Sequence, residues 1–175
     1  MRGNQMWYDD ITATYTDERY RLGTLRDQPI DEVIGAVPSP AAEGDRTWIF
    51  VFNDEAATAF AQGTALERDT ADYNDWDAII NATDLTLAVQ VIGASQAAIT
   101  AGRYGWIGRR GFFEAISDGS VTAGEAILTS ATNGQWRGIA AGGLTAAHIS
   151  RVVGIAQDTQ AVAGSLGTVG FELSV

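Results

Sequence analysis

Residues 91–107, VIGASQAAITAGRYGWI, return in outline at residues 152–169, VVGIAQDTQAVAGSLGTV. Val91, Ile92, Gly93 and Gln96 match Val152, Val153, Gly154 and Gln157. After one inserted residue, Gly102, Gly105 and Ile107 match Gly164, Gly167 and Val169. The register also reaches backwards, because Gly63-Thr64-Ala65-Leu66 lies 61 positions before Gly124-Glu125-Ala126-Ile127, the offset that separates Gly93 from Gly154. A chain that repeats a unit of this size builds one supersecondary structure twice. Short apolar runs broken by glycine make that unit a β unit, with copies at about residues 47–107 and 108–173.

The composition agrees with a β fold and narrows the chemistry. Twenty glycines and few long helix-forming side chains between the apolar positions favour short strands joined by turns. An apolar content of 46% in 175 residues supports one packed domain. The net charge is −11, and none of the eleven basic residues is lysine. A surface of that sign is repelled by phosphate backbones and by anionic lipid, so neither nucleic acid nor membrane is an expected partner. The chain has no cysteine, which excludes a disulfide framework and a thiolate metal site or nucleophile. No apolar export signal opens it and no apolar run is long enough to span a bilayer, which predicts a soluble protein.

In chain order, residues 1–18 alternate aromatic and acidic side chains, among them Trp7, Tyr8, Asp9, Asp10, Tyr15 and Asp17, without a helical period. They read either as a disordered terminus or as an extended N-terminal arm whose aromatics anchor it on a neighbouring subunit or partner. Residues 19–175 then form the single domain. A short strand is expected at 20–26, a surface loop at 27–46 where all three prolines fall, with a possible strand at 33–37, and a firm strand at 47–53, TWIFVFN. Residues 54–66 are alanine-rich enough for a helix, but their partner copy, 116–128, holds an Asp118-Gly119 turn, so both predict turn, strand, turn, strand. Residues 103–113 form a glycine-interrupted strand and 121–129 a strand pair. Asn133-Gly134 is a hairpin turn, and the closing strands lie near 151–156 and 167–173. The expected architecture is a small sandwich or barrel.

Few residues carry a chemical signal. His148 is the only histidine, in a stretch of small residues and without a G-x-S-x-G elbow, so neither a multi-histidine metal site nor a hydrolase triad is expected. Asp72, Asn74, Asp75 and Asp77 crowd oxygens together as a calcium loop would. They lack its bend-forming glycine and distal glutamate, and a solvated acidic loop fits them better. Gly102, Gly105 and Gly108 lack the trailing basic residue of a phosphate loop. The expectation is a protein that is not an enzyme and has no cofactor or metal. Partner contact remains. Arg103, Arg109 and Arg110 concentrate basic charge in an acidic chain, either to pair with the protein's own carboxylates or to meet an acidic patch on a partner. With Trp7, Tyr8 and Tyr15 they are the candidate contact residues. Trp76, Trp136 and Tyr73 are the candidate stacking platforms if the chain is instead a carbohydrate- or host-surface-binding module.

An ordered set of motifs resembles the capsid decoration, or cement, proteins of tailed bacteriophages. It consists of R-[FY]-x-L-G-T at residues 19–24, W-x-[FY]-V at 48–51, A-x-x-A-G-x-Y-G-W-[IV] at 98–107, V-T-A-G-[ED]-x-[IL] at 121–128 with its following residue, V-[VI]-G-[IV]-A at 152–156 and G-T-V-x-[FV]-x-L at 167–173. The resemblance implies a tulip-like β fold and a homotrimer on the outer surface of the virion head, made in the host cytoplasm. It further implies that the major capsid protein is the partner and that the activity is bracing the shell rather than catalysis. The acidic stretch 67–77 and the proline-bearing loop depart from the shortest proteins of that kind.

Overall fold

The computed structural model describes residues 12–28, 46–69, 76–81 and 90–173. These hold β1 (Thr14–Tyr15), β2 (Leu25–Gln28), β3 (Arg46–Asn53), β4 (Ala65–Arg68), β5 (Asp77–Ile80) and β6 (Val91–Ser95). The long β7 (Tyr104–Ile116) follows, then β8 (Ala126–Thr129), β9 (Trp136–Ile139), β10 (Gly154–Ala156) and β11 (Leu166–Glu172). A 3-10 turn, Ala141–Gly143, and one helical turn, α1 (Ala146–Ile149), separate β9 from β10. All eleven strands belong to one continuous sheet.

That sheet closes on itself twice. In the first closure β3 pairs with β5, β5 with β4, β4 with β6, β6 with β7, and β7 returns to β3. In the second, β7 pairs with β11, β11 with β10, β10 with β8 and β8 with β9, and the parallel bridge Ser117 to Trp136 completes the ring. The repeat seen in the sequence is therefore a repeat of hydrogen-bond register. Leu66 lies opposite Gly93 and Ile127 opposite Gly154; Phe60 bridges Ile99 and Val121 bridges Gln160. Each pair is displaced by the same 61 positions that separate Gly63 from Gly124. β7 serves both barrels. Its first half pairs with β3, and its second half, standing where β3 stands in the first barrel, pairs with β11. A single strand passing from one barrel into the next leaves no linker, so the copies fuse within β7 and not beside it.

Each barrel is filled from its own strands. Ile49, Val51, Phe60, Leu66, Ala78, Ile92, Ile99 and Ile107 form the first interior. Phe113, Ala115, Val121, Ile127, Trp136, Val153 and Val169 take the equivalent places in the second, which is continuous with a larger core. Trp136 stands where the first barrel has Ala78, and the added volume is offset by Ala115 for Val51 and Val169 for Ile107, as close packing requires. β3 is buried on both faces, which explains its unbroken apolar run. Ile49 and Val51 point into the barrel. Trp48 and Phe50 face outward under Phe113, Tyr15 and Tyr20, with the Trp48 Nε1 donating to Gln28 Oε1 at 2.9 Å.

The barrels are also tied side to side by Gln96, which is 5% exposed. Its Nε2 donates to Glu114 O at 2.9 Å and its Oε1 accepts from Glu114 N at 3.0 Å, so one carboxamide satisfies both backbone polar groups of a β7 residue. Gln96→Ala is expected to cost about 1–3 kcal/mol, the penalty for stranding largely buried polar groups, measured by denaturant unfolding.

Several expectations change. Residues 20–24 form a turn, with Thr24 N donating to Arg21 O, and the strand begins only at Leu25, because Tyr20 and Leu22 pack on the core and the chain must turn there to place them. The expected strand pair at 121–129 reduces to β8, with Val121 in an isolated bridge. β5 was not expected at all. Residues 54–66 follow the turn and strand course and not the helix, because Phe60 is needed in the first interior. The possible strand at 33–37 and most of the acidic stretch lie outside the described residues.

Candidate functional site

Alternation along β7 decides what its arginines can do, since neighbouring residues of a strand point to opposite faces. Arg109 turns inward and is 5% exposed. Its Nη1 donates to Ile92 O at 3.3 Å, and its guanidinium lies 5.4 Å from the Trp76 ring centroid. Arg68 sits closer on the same ring, at 3.7 Å. Burial, and the nearby Arg68 charge after it, pull the Arg109 pKa below the ordinary arginine value. Arg110 turns outward and meets Glu172 at 3.5 Å across the β7 to β11 pairing, with both side chains mostly exposed. An exposed pair of this kind contributes little, so Glu172→Gln is expected to leave the thermal midpoint unchanged within error. Arg103 is half-buried in the turn before β7, where its carbonyl accepts from Asn53 N at 2.9 Å. The three arginines therefore occupy separate environments and do not form one basic patch.

The aromatic candidates are likewise dispersed. Trp7, Tyr8 and Tyr73 lie outside the described residues. Tyr15 belongs to β1, which pairs with β7 at Gly105 and Tyr104, and its ring packs 5.9 Å from Phe50 and 6.4 Å from Tyr20. This end of the expected arm covers the protein's own first barrel. Trp136 is 1% exposed, and its indole N–H donates to Gly63 O at 3.0 Å, so it cannot serve as a stacking platform for a sugar. Trp76 carries the two guanidiniums described above and packs against the first barrel's interior.

His148 has a local structural task. Its Nδ1 accepts from Thr145 N at 3.2 Å, which completes a capping box on the four-residue helix. Among the described residues no three His, Asp or Glu side chains stand close enough to hold a metal ion.

A surface cleft of about 700 Å³ runs across β2, β3, β7, β11 and β10. Phe112 and Ile155 supply its apolar floor, and Gly170 and Gln157 lie beside them. Its rim is polar, with the Arg110 and Glu172 pair and with Asp27, whose carboxylate accepts from the Thr47 hydroxyl at 2.7 Å. An apolar floor within a polar rim is the anatomy of a protein contact surface. Among the described residues, Arg110 is the sequence candidate that reaches it. Gln157 appeared in the sequence only as the counterpart of Gln96, and nothing local distinguishes a covered glutamine from an open one.

The chain matches no protein-family model and no curated protein. Its fold is similar to that of the head fiber gp8.5 N base of bacteriophage phi29, with a TM-score of 0.51 at 14% identity, over 74% of this chain and 96% of that one. At that identity the likeness is one of fold.

Proposed function

We propose that this chain is a structural, non-enzymatic protein of a phage virion, which binds the outer surface of the head as a homotrimer and stabilises the shell of major capsid protein. The observation that carries the reading is the shared fold with a phage head fiber base over nearly all of that chain. The ordered motifs of the decoration proteins support the finer assignment, because they arise from the sequence and not from the fold comparison. A charge of −11 without lysine suits a surface that stays soluble at high copy number and avoids nucleic acid. Many weak contacts on a lattice add up through avidity, so a shallow surface is sufficient and no deep pocket is required.

The test is co-sedimentation with expanded heads that lack this protein, after light scattering has given its oligomeric state. A trimer that saturates heads at a fixed ratio to the capsid protein is the expected result. A stable monomer that stays in the supernatant would overturn the reading.

The contact role of the arm has its own experiment. Removing residues 1–18 would strip Tyr15 from Phe50 and damage the fold, so the informative variant lacks residues 1–11. It is expected to keep the wild-type melting temperature and to lose most of its head binding. Undiminished binding would remove Trp7 and Tyr8 from the contact.

A further inference from the structure

The two barrels share one register but not one environment. On the outside of the first, Trp48 lies opposite Gly108 and Gly108 opposite Ala94. This face is covered from within the molecule. The Phe113 ring packs edge to face on Trp48 with centroids 4.8 Å apart, in the space above Gly108 where an added Cβ would meet the ring at 2.6 Å. The N–H and C=O of the next residue, Glu114, are held by the two ends of the Gln96 carboxamide.

The second barrel presents the same face with no cover among the described residues. Phe112 lies opposite Gly170 and Gly170 opposite Ile155, the positions of Trp48, Gly108 and Ala94. With Gln157 these residues line the open cleft. Gln157 is already posed like its counterpart: its Nε2 donates to Ile155 O at 3.2 Å, as that of Gln96 does to Ala94 O at 3.4 Å. The remaining capacity of the carboxamide, used on Glu114 in the first barrel, has no partner among the described residues. Ile155 is 44% exposed, a large apolar side chain left to water.

We propose that this cleft receives an extended strand of a second protein, which lays an aromatic side chain over Gly170 between Phe112 and Ile155 and gives the N–H and C=O of its next residue to Gln157. The mode is strand recognition through main-chain bonds, with one side-chain pocket for specificity. The occupant is a strand of another protein, since the described surface of a second copy offers no such aromatic. The large hydrophobic side chains exposed among the described residues, from Leu25 to Leu166, are all aliphatic, so those residues of a second copy have no unengaged aromatic to offer.

The probe is a capped, fluorescently labelled hexapeptide with the sequence of residues 111–116, GFFEAI, which is the chain's own strand in the equivalent place. Titrated with the full chain, its anisotropy is expected to saturate. Replacing its second phenylalanine by alanine, methylating the nitrogen of its glutamate, and Gln157→Ala in the protein are each expected to weaken binding at least tenfold. The Gln157→Ala protein should melt close to the wild type, since within the described residues that side chain makes one exposed bond, to Ile155 O at 3.2 Å. No binding, or binding indifferent to all three changes, would overturn the proposal. Concentration-dependent self-association that Gln157→Ala abolishes would assign the cleft to a second copy and overturn it too.

Discussion

Trp136→Ala is expected to remove about 3–5 kcal/mol of stability, the range for emptying a large aromatic side chain from a packed core. The indole is 1% exposed and lies 4.9 Å from the Phe171 ring. It fills the second barrel where the first has only Ala78, and its N–H donates to Gly63 O at 3.0 Å. That bond joins the barrels, because Gly63 begins the turn into β4 of the first. Truncation therefore opens a cavity in one barrel and removes one of the two bonds to Gly63 O, which still accepts from Ile116 N at 2.9 Å. Trp136→Phe separates the two effects, since it keeps most of the volume and loses one bond of a carbonyl that retains another, and should cost about 0.5–1.5 kcal/mol. Denaturant unfolding of both variants gives the numbers. A Trp136→Ala loss near 1 kcal/mol would mean that the second barrel collapses onto the vacancy and that its interior is not close-packed.

Gly93→Ala is the second large effect, expected at about 3 kcal/mol or more, or as failure to fold. Gly93 adopts φ 149, and an added Cβ would stand 2.1 Å from the carbonyl oxygen of Gly108 on the facing strand. Backbone cannot yield as a flexible side chain can, so β6 would have to separate from β7 and open the first barrel. Gly154, its counterpart, faces Gly170 O at 2.3 Å in the same way. The control is Gly124→Ala, at φ 86 with nothing within 4 Å of the added atom. It bears only the cost of left-handed backbone, about 1–2 kcal/mol. If Gly93→Ala and Gly124→Ala unfold at the same midpoint, close strand approach is not what the repeated glycine provides.

These two positions show how much of the molecule was legible in advance. Gly93 was visible because it recurs as Gly154 in a matching frame, and the structure returns that frame as register. Trp136 was visible only as an aromatic on a strand, equally suited to a core or to a sugar platform. Its burial follows from what its counterpart Ala78 leaves unfilled, and a single strand carries no record of the volume opposite it. Arg109 and Arg110 read as one basic cluster, yet the period of the strand sends one beneath Trp76 and the other to Glu172. Which of the two faces inward depends on the pairing of β7 with β6 and with β3, and β3 is distant in sequence. β5 escaped notice because four residues, DAII, beside an acidic stretch give no alternation to read.

The sequence by itself determined the β class, the two copies and their offset, and the strand that became β3. These are local properties, carried by glycine spacing, turn residues and unbroken apolar runs. Tertiary structure alone decided that the copies close into barrels, that β7 belongs to both, and that Gln96 is covered while Gln157 is open. Closure rests on contacts between distant residues, such as the parallel pairing of β3 with β5 and the bridge from Ser117 to Trp136. Two identical local patterns become different surfaces once one barrel has the other for a neighbour.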